Sequence, residues 1–436
     1  MKNSLIKGNR NNTNDTKKIL VEMSKLRAQR AKLFGLNSHA EWVMQTNTAK
    51  HPDNVHKMLR QIAPAAVKNA KAEAADLQKI IGSEFELQSW DWALYTEKVR
   101  KEKHNVDTAA MRPYFELEKV LADGVFFAAN KLFGISFKER KDLVTYHPEA
   151  RAFEVFNEDG SKLGLYIADF YTRDSKRGGA WMNSLVNQNF LFNQLPVVVN
   201  NLNIPKPPIG QPTLLTFDEI TTLFHEFGHA LHGMLSQVKY LRTSGTSVER
   251  DFVEFPSQVN EMWILWPEVV ANYAYHYQTG EGLPQALIDN LQNSTTFNEG
   301  HATTSYLQAA ILDLAWHEIS DQDEITDVVA FEDSAIADYG LNYPPVPTRY
   351  RSTYFSHIFG GGYSAGYYGY IWSEILDAET VEWFKENGGL TRANGEHFRN
   401  QLLGRGGSID SMQMFKNFRG REATIEPLLK RRGLEV

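Results

Sequence analysis

The 436-residue chain is 42% hydrophobic, 23% charged and 12% aromatic, with a formal net charge of −7. That balance excludes wholesale disorder and supplies apolar material for one large domain or two to three ordinary ones. No basic block or cationic amphipathic helix interrupts it, so nothing in it points to nucleic acid or to a membrane surface as partner.

Cysteine is absent, which excludes disulfides and thiolate chemistry and leaves His and carboxylate side chains to hold any zinc. The opening MKNSLIKGNRNNTNDTKK lacks the apolar stretch of a signal peptide, and no run of 18 apolar residues follows. A cytoplasmic location without a membrane span is therefore expected.

Residues 1–16 read as a flexible polar start, closed by a helix-capping cluster at Asn14 to Thr16. Helical periodicity then covers Lys17 to Phe34, Asp53 to Ile81 with an interruption at Pro64, Asp91 to His104 and Tyr114 to Leu132. Residues 17–140 thus form a helical region. Residues 141–215 change character: Ala152 to Phe156, Leu163 to Phe170 and Leu195 to Val199 are short and rich in β-branched or aromatic residues, as strands are. The segment Arg173 to Met182 reads as a loop punctuated by Gly178 and Gly179. Residues 216–436 return to helix, with candidates at Phe217–Leu235, Glu254–Tyr277, Thr303–Glu318, Ala365–Glu386 and Gly395–Leu403 and a Pro-rich linker at Leu341 to Ser352. The predicted fold is mainly α with a small β-sheet and no sharp domain boundary.

One motif in the last region carries chemistry. In LFHEFGHALHG, His225 and His229 stand four apart, so on a helix both imidazoles leave the same face and can share one zinc ion. Glu226 points beside that ion, where a general base for the attacking water belongs. An isolated HExxH arises by chance in many proteins. Here it is flanked by Leu223, Phe224, Phe227, Ala230 and Leu231, and unpaired polar groups in such a setting are costly. A third ligand must come from elsewhere, because His232 and Leu235 occupy the positions where a metzincin has Gly and His. Glu249, Glu254 and Glu261 are available, and spacing alone does not choose among them. Glu254, beside apolar Val253 and Phe255 at a helix start, is favoured, and His232 is read either as a support behind the ligands or as structural, since one helical face cannot easily supply three ligands to one ion.

The segments FHEFGHALHG, SGTSVERDFVEFPSQVNEMW and HIFGGGYSAGYYGYIWSE, together with RDSKRGGAWM and the tail RRGLEV, resemble peptidase family M3, the thimet oligopeptidase family of zinc peptidases. The resemblance covers nearly the whole chain, from about Asn9 onward. It implies a zincin-like catalytic region belonging to a two-half clamshell, with one zinc per chain held by His225, His229 and Glu254. It assigns Glu226 as base, His357 and Tyr370 as catalytic groups that stabilise the oxyanion, and Tyr363 and Tyr367 as substrate contacts. Short peptides are the implied substrates. HIFGGGY has one more residue between His and Tyr than HLAGGY of the thimet type, which favours members that release C-terminal dipeptides over those that cut internally. Tyr368 is read as packing, and the strand Leu163 to Phe170 is expected to offer an edge to the substrate backbone. Family members are longer and carry an extra N-terminal helical region. A missing N-terminal half is thus a potential partner, and a truncated, weakly active zinc-binding form is the alternative to a working peptidase.

Overall fold

The computed structural model describes residues 15–104 and 108–434. The flexibility expected of residues 1–16 therefore falls largely outside the described residues. In chain order the elements that matter here are α1 (Lys17–Leu33), α2 (Pro52–Ile81), α3 (Phe127–Phe133), β1 (Ser136–Glu139), β2 (Arg151–Phe156), β3 (Lys162–Tyr171), β4 (Trp181–Val186), β5 (Val197–Ile204), α4 (Phe217–Met234), α5 (Phe255–Glu261), α6 (Pro267–Tyr273), α7 (Glu299–Glu318), α8 (Gly369–Glu386) and α9 (Arg392–Gln401). The fold is mainly helical with one small sheet.

Local chemistry sets the element ends. The Asp15 carboxylate accepts the Lys17 N–H at 3.0 Å where α1 begins. Pro52 opens α2, where a missing N–H costs nothing, and Gly82 at φ 66° closes it. Pro64 does not interrupt α2 as the sequence suggests. The helix runs on through it, with Ala63, Ala65, Ala66 and Val67 all buried around the ring. Glu254–Tyr277 is not one helix. It breaks after Glu261, and Pro267 starts α6 because proline tolerates a first turn far better than an interior.

The sheet has five strands in the order β1-β2-β3-β5-β4, two more than the sequence suggests. β3 pairs antiparallel with β2 and parallel with β5, and β4 closes the sheet antiparallel to β5. The expected free edge at Leu163 to Phe170 does not exist. β3 is hydrogen-bonded on both sides and buried along most of its length, while the edges belong to β1 and β4. The Arg173 to Met182 segment ends in β4, and buried Lys176 anchors it. The Lys176 ammonium donates to the Asp169 carboxylate at 2.8 Å and to the Asp169, Tyr171 and Leu202 carbonyls at 2.9, 2.9 and 2.7 Å.

The chain forms two compact units whose segments interleave. One comprises Met1–Asn105, Asn293–Trp372 and Leu428–Val436, the other Val106–Gln292 and Ser373–Pro427. In the first, α2 and α7 meet backbone to backbone. A side chain at Gly300 would lie 2.3 Å from the Ala70 nitrogen, and Glu73 caps α7 by accepting the Gly300 and His301 N–H groups at 2.7 and 2.8 Å. In the second, the core packs the sheet against α4, with Phe126, Phe137, Phe153, Tyr166 and Phe227 in mutual ring contact. Among the described residues, no helix is long and apolar enough to cross a membrane.

Candidate metal centre

All members of the His225, His229 and Glu254 group lie in the second unit. α4 opens with a capping box: the Thr216 side chain accepts the Glu219 N–H at 3.2 Å, and Glu219 accepts the Thr216 N–H at 2.7 Å. Its apolar stripe, including Ile220, Leu223, Phe224, Phe227, Leu231 and Met234, is buried. Two side-chain amides then fix it to its neighbours. Asn200 on β5 donates to the Glu226 carbonyl at 2.7 Å, and Asn260 on α5 donates to the Phe224 carbonyl at 2.7 Å.

The approach of α5 depends on Gly228. A Cβ there would stand 2.6 Å from Ser257 Cα, 2.9 Å from Asn260 Cβ and 3.1 Å from the Pro256 carbonyl. This contact brings Glu254, the residue preceding α5, to the imidazoles. Glu254 Oε2 lies 3.2 Å from His225 Nε2 and 3.1 Å from His229 Nε2. Ligands about 2.0–2.2 Å from a tetrahedral ion stand roughly 3.3–3.5 Å apart, so the three donors need little movement to share a metal. Two imidazole nitrogens and one carboxylate oxygen form a donor set that zinc accepts with a fourth position open. The residues present therefore fit the group.

The other two acids considered as third ligand have different work. Glu249 accepts a hydrogen bond from Ser411. Glu261 lies 2.7 Å from His225 Nδ1. At that distance it can accept a hydrogen bond from Nδ1–H, as a carboxylate behind a metal-binding imidazole does, so that Nε2 faces the metal position. Sequence reasoning did not find this role, although Glu261 lies one helical face and seven positions beyond Glu254.

Electrostatics agree with an anionic ligand set. Burial opposes ionisation of Glu254, but hydrogen bonds from His225 and His229 outweigh it and hold the carboxyl well below its ordinary value. Burial likewise disfavours charge on His225, and Glu254 and Glu261 overcome it, raising that imidazole well above its usual range. Protons and a metal thus compete for the same nitrogen. Burial pushes the Glu226 carboxyl up, against the pull of His229 and His225. Glu226 is 6% exposed, and its buried Oε2 has no hydrogen-bond partner among the described residues. His232 is buried outside the group. Burial first, then His229, lower its pKa to about 3.

The remaining site residues lie in the first unit, up to Trp372 of α8. The structure brings His357, Tyr363, Tyr367 and Tyr370 into one aromatic cluster. The His357 ring lies 5.6 Å from Tyr367 and 6.3 Å from Tyr363, and Tyr370 lies 5.1 Å from Tyr363 and 5.4 Å from Tyr367. Tyr363 and Tyr370 are partly open, whereas Tyr367 is 3% exposed. The substrate contact expected of Tyr367 is therefore confined by packing: its ring lies against His357, Phe355 and Tyr306. Tyr368 is fully buried and hydrogen-bonded to Asn47 at 3.1 Å, in keeping with a packing role.

Asp313 holds this cluster's backbone. Its buried carboxylate accepts the N–H groups of Ala365, Gly366 and Tyr367, each at 2.8 Å, and meets His317 Nδ1 at 2.8 Å. Ala365 takes a left-handed φ of 52°, which lets the three N–H groups converge. The signal for Asp313 was a lone acid inside the apolar run AAILDLAW, which must find partners when buried.

Residues 2–434 match the model of peptidase family M3. The chain is 45% identical over 430 residues to dipeptidyl carboxypeptidase of Escherichia coli (strain K12), covering 98% of this chain and 63% of that protein. It is 36% identical over 429 residues to oligopeptidase A of the same organism, covering 97% of this chain and again 63% of the relative. Among solved structures it resembles Trypanosoma cruzi metallocarboxypeptidase 1, with a TM-score of 0.55 at 12% identity, over 99% of this chain and 78% of that one. It also resembles an M32 carboxypeptidase from Deinococcus radiodurans R1, with a TM-score of 0.54 at 14% identity, over 95% and 73% of the two chains. The structural likenesses speak to fold alone.

Two outcomes test this geometry. Gly228→Ala inserts a methyl group between α4 and α5. Over-packing of this kind costs about 1–3 kcal/mol, and zinc affinity should fall at least about 10-fold in a competitive chelator titration. Unaltered affinity would mean that the helix contact does not set the ligand spacing. Glu261→Ala should leave the thermal midpoint nearly unchanged while weakening zinc binding about 10–100-fold. A wild-type affinity in that variant would remove Glu261 from the centre.

Proposed function

The chain belongs to peptidase family M3, and on that premise we propose that it is a zinc peptidase region that hydrolyses short peptides and releases dipeptides from their C-termini. The convergence of His225, His229 and Glu254 beside a buried, unpaired Glu226 oxygen carries this reading. Bound there, zinc supplies a Lewis acid that lowers the pKa of water and polarises a peptide carbonyl.

The chain's own groups do the rest. Glu226 accepts the proton of the attacking water at its free oxygen and passes it to the departing amine. Burial makes its carboxylate a stronger base than an exposed one. By the resemblance, Tyr370 and His357 are the proposed hydrogen-bond donors to an oxyanion, each donor of this kind contributing about 3–4 kcal/mol. Tyr363, partly open and stacked on Tyr370, contacts the peptide. Tyr367 holds His357 in place by ring contact. Residues that close a site exclude water and align the scissile bond. The part of the relatives beyond the matched span is proposed to supply the rest of the channel wall, and this chain alone to turn over slowly. A cytoplasmic location belongs to the same proposal.

Dipeptide release is preferred because identity is higher to the relative named dipeptidyl carboxypeptidase than to the one named oligopeptidase A. The second reading, internal cutting, draws on the latter. Mass spectrometry of an N-acetylated octapeptide separates them: successive C-terminal dipeptides are expected, whereas early internal fragments would establish the second reading. Bound zinc with no hydrolysis at all would restrict the chain to metal binding.

Glu226→Gln tests the base. The variant should keep its fold and one zinc while kcat falls at least about 100-fold. Near-normal turnover would assign the proton transfer to another group.

A further inference from the structure

The first helix of the chain reaches the segment that carries the tyrosine cluster, and none of the roles above uses that contact. Arg27 and Arg30 stand on α1, Asp313 and His317 on α7, and all lie in the first unit together with residues 356–367. Arg27 Nη1 lies 2.6 Å from His317 Nε2 and donates to the Ile358 carbonyl at 2.8 Å. A guanidinium only donates, so His317 accepts at Nε2, and its Nδ1 is the nitrogen that meets the Asp313 carboxylate at 2.8 Å. One arginine nitrogen thus joins the backbone of the segment to the buried Asp313 anchor. The same guanidinium lies 5.7 Å from the centre of the Phe359 ring.

A second arm runs beside the first. The buried His39 imidazole has Nδ1 3.2 Å from Arg30 Nη2 and Nε2 3.0 Å from Ser364 Oγ. By the same rule Nδ1 accepts from the arginine, and Nε2–H donates to the Ser364 hydroxyl. The segment is therefore held at three points: Ile358 by Arg27, Ser364 by His39, and the N–H groups of residues 365–367 by Asp313. Between the first two points stand Gly360, Gly361 and Gly362, all exposed, after the one-turn helix Ser356–Phe359. Fixing so permissive a backbone costs more entropy than fixing an ordinary one, and bonds at its two ends offset that cost. His357 precedes Ile358 and Tyr363 precedes Ser364, so each of these two bonds sits one residue from a side chain assigned to the chemistry.

We propose that Arg27 is a positioning residue: by bonding both His317 and the Ile358 carbonyl, it fixes the segment that presents His357 and Tyr363. The inference rests on the peptidase reading for the roles of those two residues, and it brings the first helix into that reading.

The zinc-loaded full chain is compared with its Arg27→Ala and Arg27→Lys variants. Amide hydrogen exchange, thermal midpoint, and kcat and KM on an N-acetylated octapeptide are measured, each with and without added methylguanidinium. The Gly360, Gly361 and Tyr363 N–H groups bond to the Ser356 and His357 carbonyls at 2.8, 2.6 and 3.1 Å, and they report opening of the segment. Arg27→Ala should speed exchange over residues 356–364 about 10-fold, the scale of one hydrogen bond to a charged group, and leave α2 unchanged. In the same variant kcat should fall about 10-fold with KM within about 2-fold, and methylguanidinium should restore part of both losses. Arg27→Lys should show a smaller effect, because an ammonium keeps charge and donors but not the planar fork. If Arg27→Ala fails to fold, the lysine variant decides: faster exchange confined to residues 356–364 supports the assignment, and exchange that is unchanged or raised evenly across the first unit overturns it. For Arg27→Ala the same two patterns overturn it, the even one by reducing Arg27 to a fastener of α1. Locally faster exchange at an unchanged kcat would overturn the positioning role as well. A wild type that hydrolyses nothing would count against the peptidase reading, and exchange alone would then decide whether Arg27 holds the segment.

Discussion

Glu254 can face His225 and His229 only because α4 lies against Ser257 and Asn260 with no side chain between them. Gly228 makes that approach possible, since any Cβ would fall 2.6 Å from Ser257 Cα. The amide of Asn260 then closes the contact by bonding to a helix carbonyl at 2.7 Å, and Asn200 does the same from the sheet side. The ligand spacing is thus set by backbone against backbone, which is stiffer than side chain against side chain. Everything chemical in the second unit depends on it: the shared Glu254 oxygen, the Glu261 contact behind His225, and the position of Glu226 one residue along the same helix.

Buried polarity ties the two halves of the account together. An apolar helix that carries His, Glu and His, and a buried carboxylate oxygen with no donor among the described residues, would be costly in a purely structural element. In the first unit the same cost is met differently. Asp313 is fully buried, but three N–H groups and a histidine satisfy it, so it acts as an anchor and leaves no group free for chemistry. The contrast separates residues that hold the structure from residues that await a ligand. Glu226 belongs to the second kind, Asp313 and Arg351 to the first.

The grouping of His225, His229 and Glu254 that could hold a metal is local enough to read in the sequence. His225 and His229 share a face by helical period alone, and Glu254 announced itself by its apolar neighbours at a helix start. The second layer was not legible. Glu261 looked like another candidate ligand, since nothing in the spacing says which acid meets Nε2 and which meets Nδ1. Asp313 is joined to N–H groups more than fifty positions away, a pairing no local pattern encodes. The sheet failed at its edges. β1 and β4 are short and half-exposed, and WMNSLV carries no clean alternation, whereas central β3 was recognisable. Its misreading as an edge ignored its near-continuous burial, the mark of a strand covered on both faces. The break after Glu261 was signalled by Pro267 and overlooked because the apolar pattern continues through it.

The central claim is that two imidazoles and one carboxylate of this chain converge on a single ion. Zinc-edge X-ray absorption fine structure on the metal-loaded protein, with elemental analysis of the same sample, tests it most directly. One zinc per chain, with two imidazole nitrogens at about 2.0–2.1 Å and oxygen ligands at about 2.0–2.2 Å, is the expected result. Substoichiometric metal, or a first shell with fewer than two imidazoles, would contradict it.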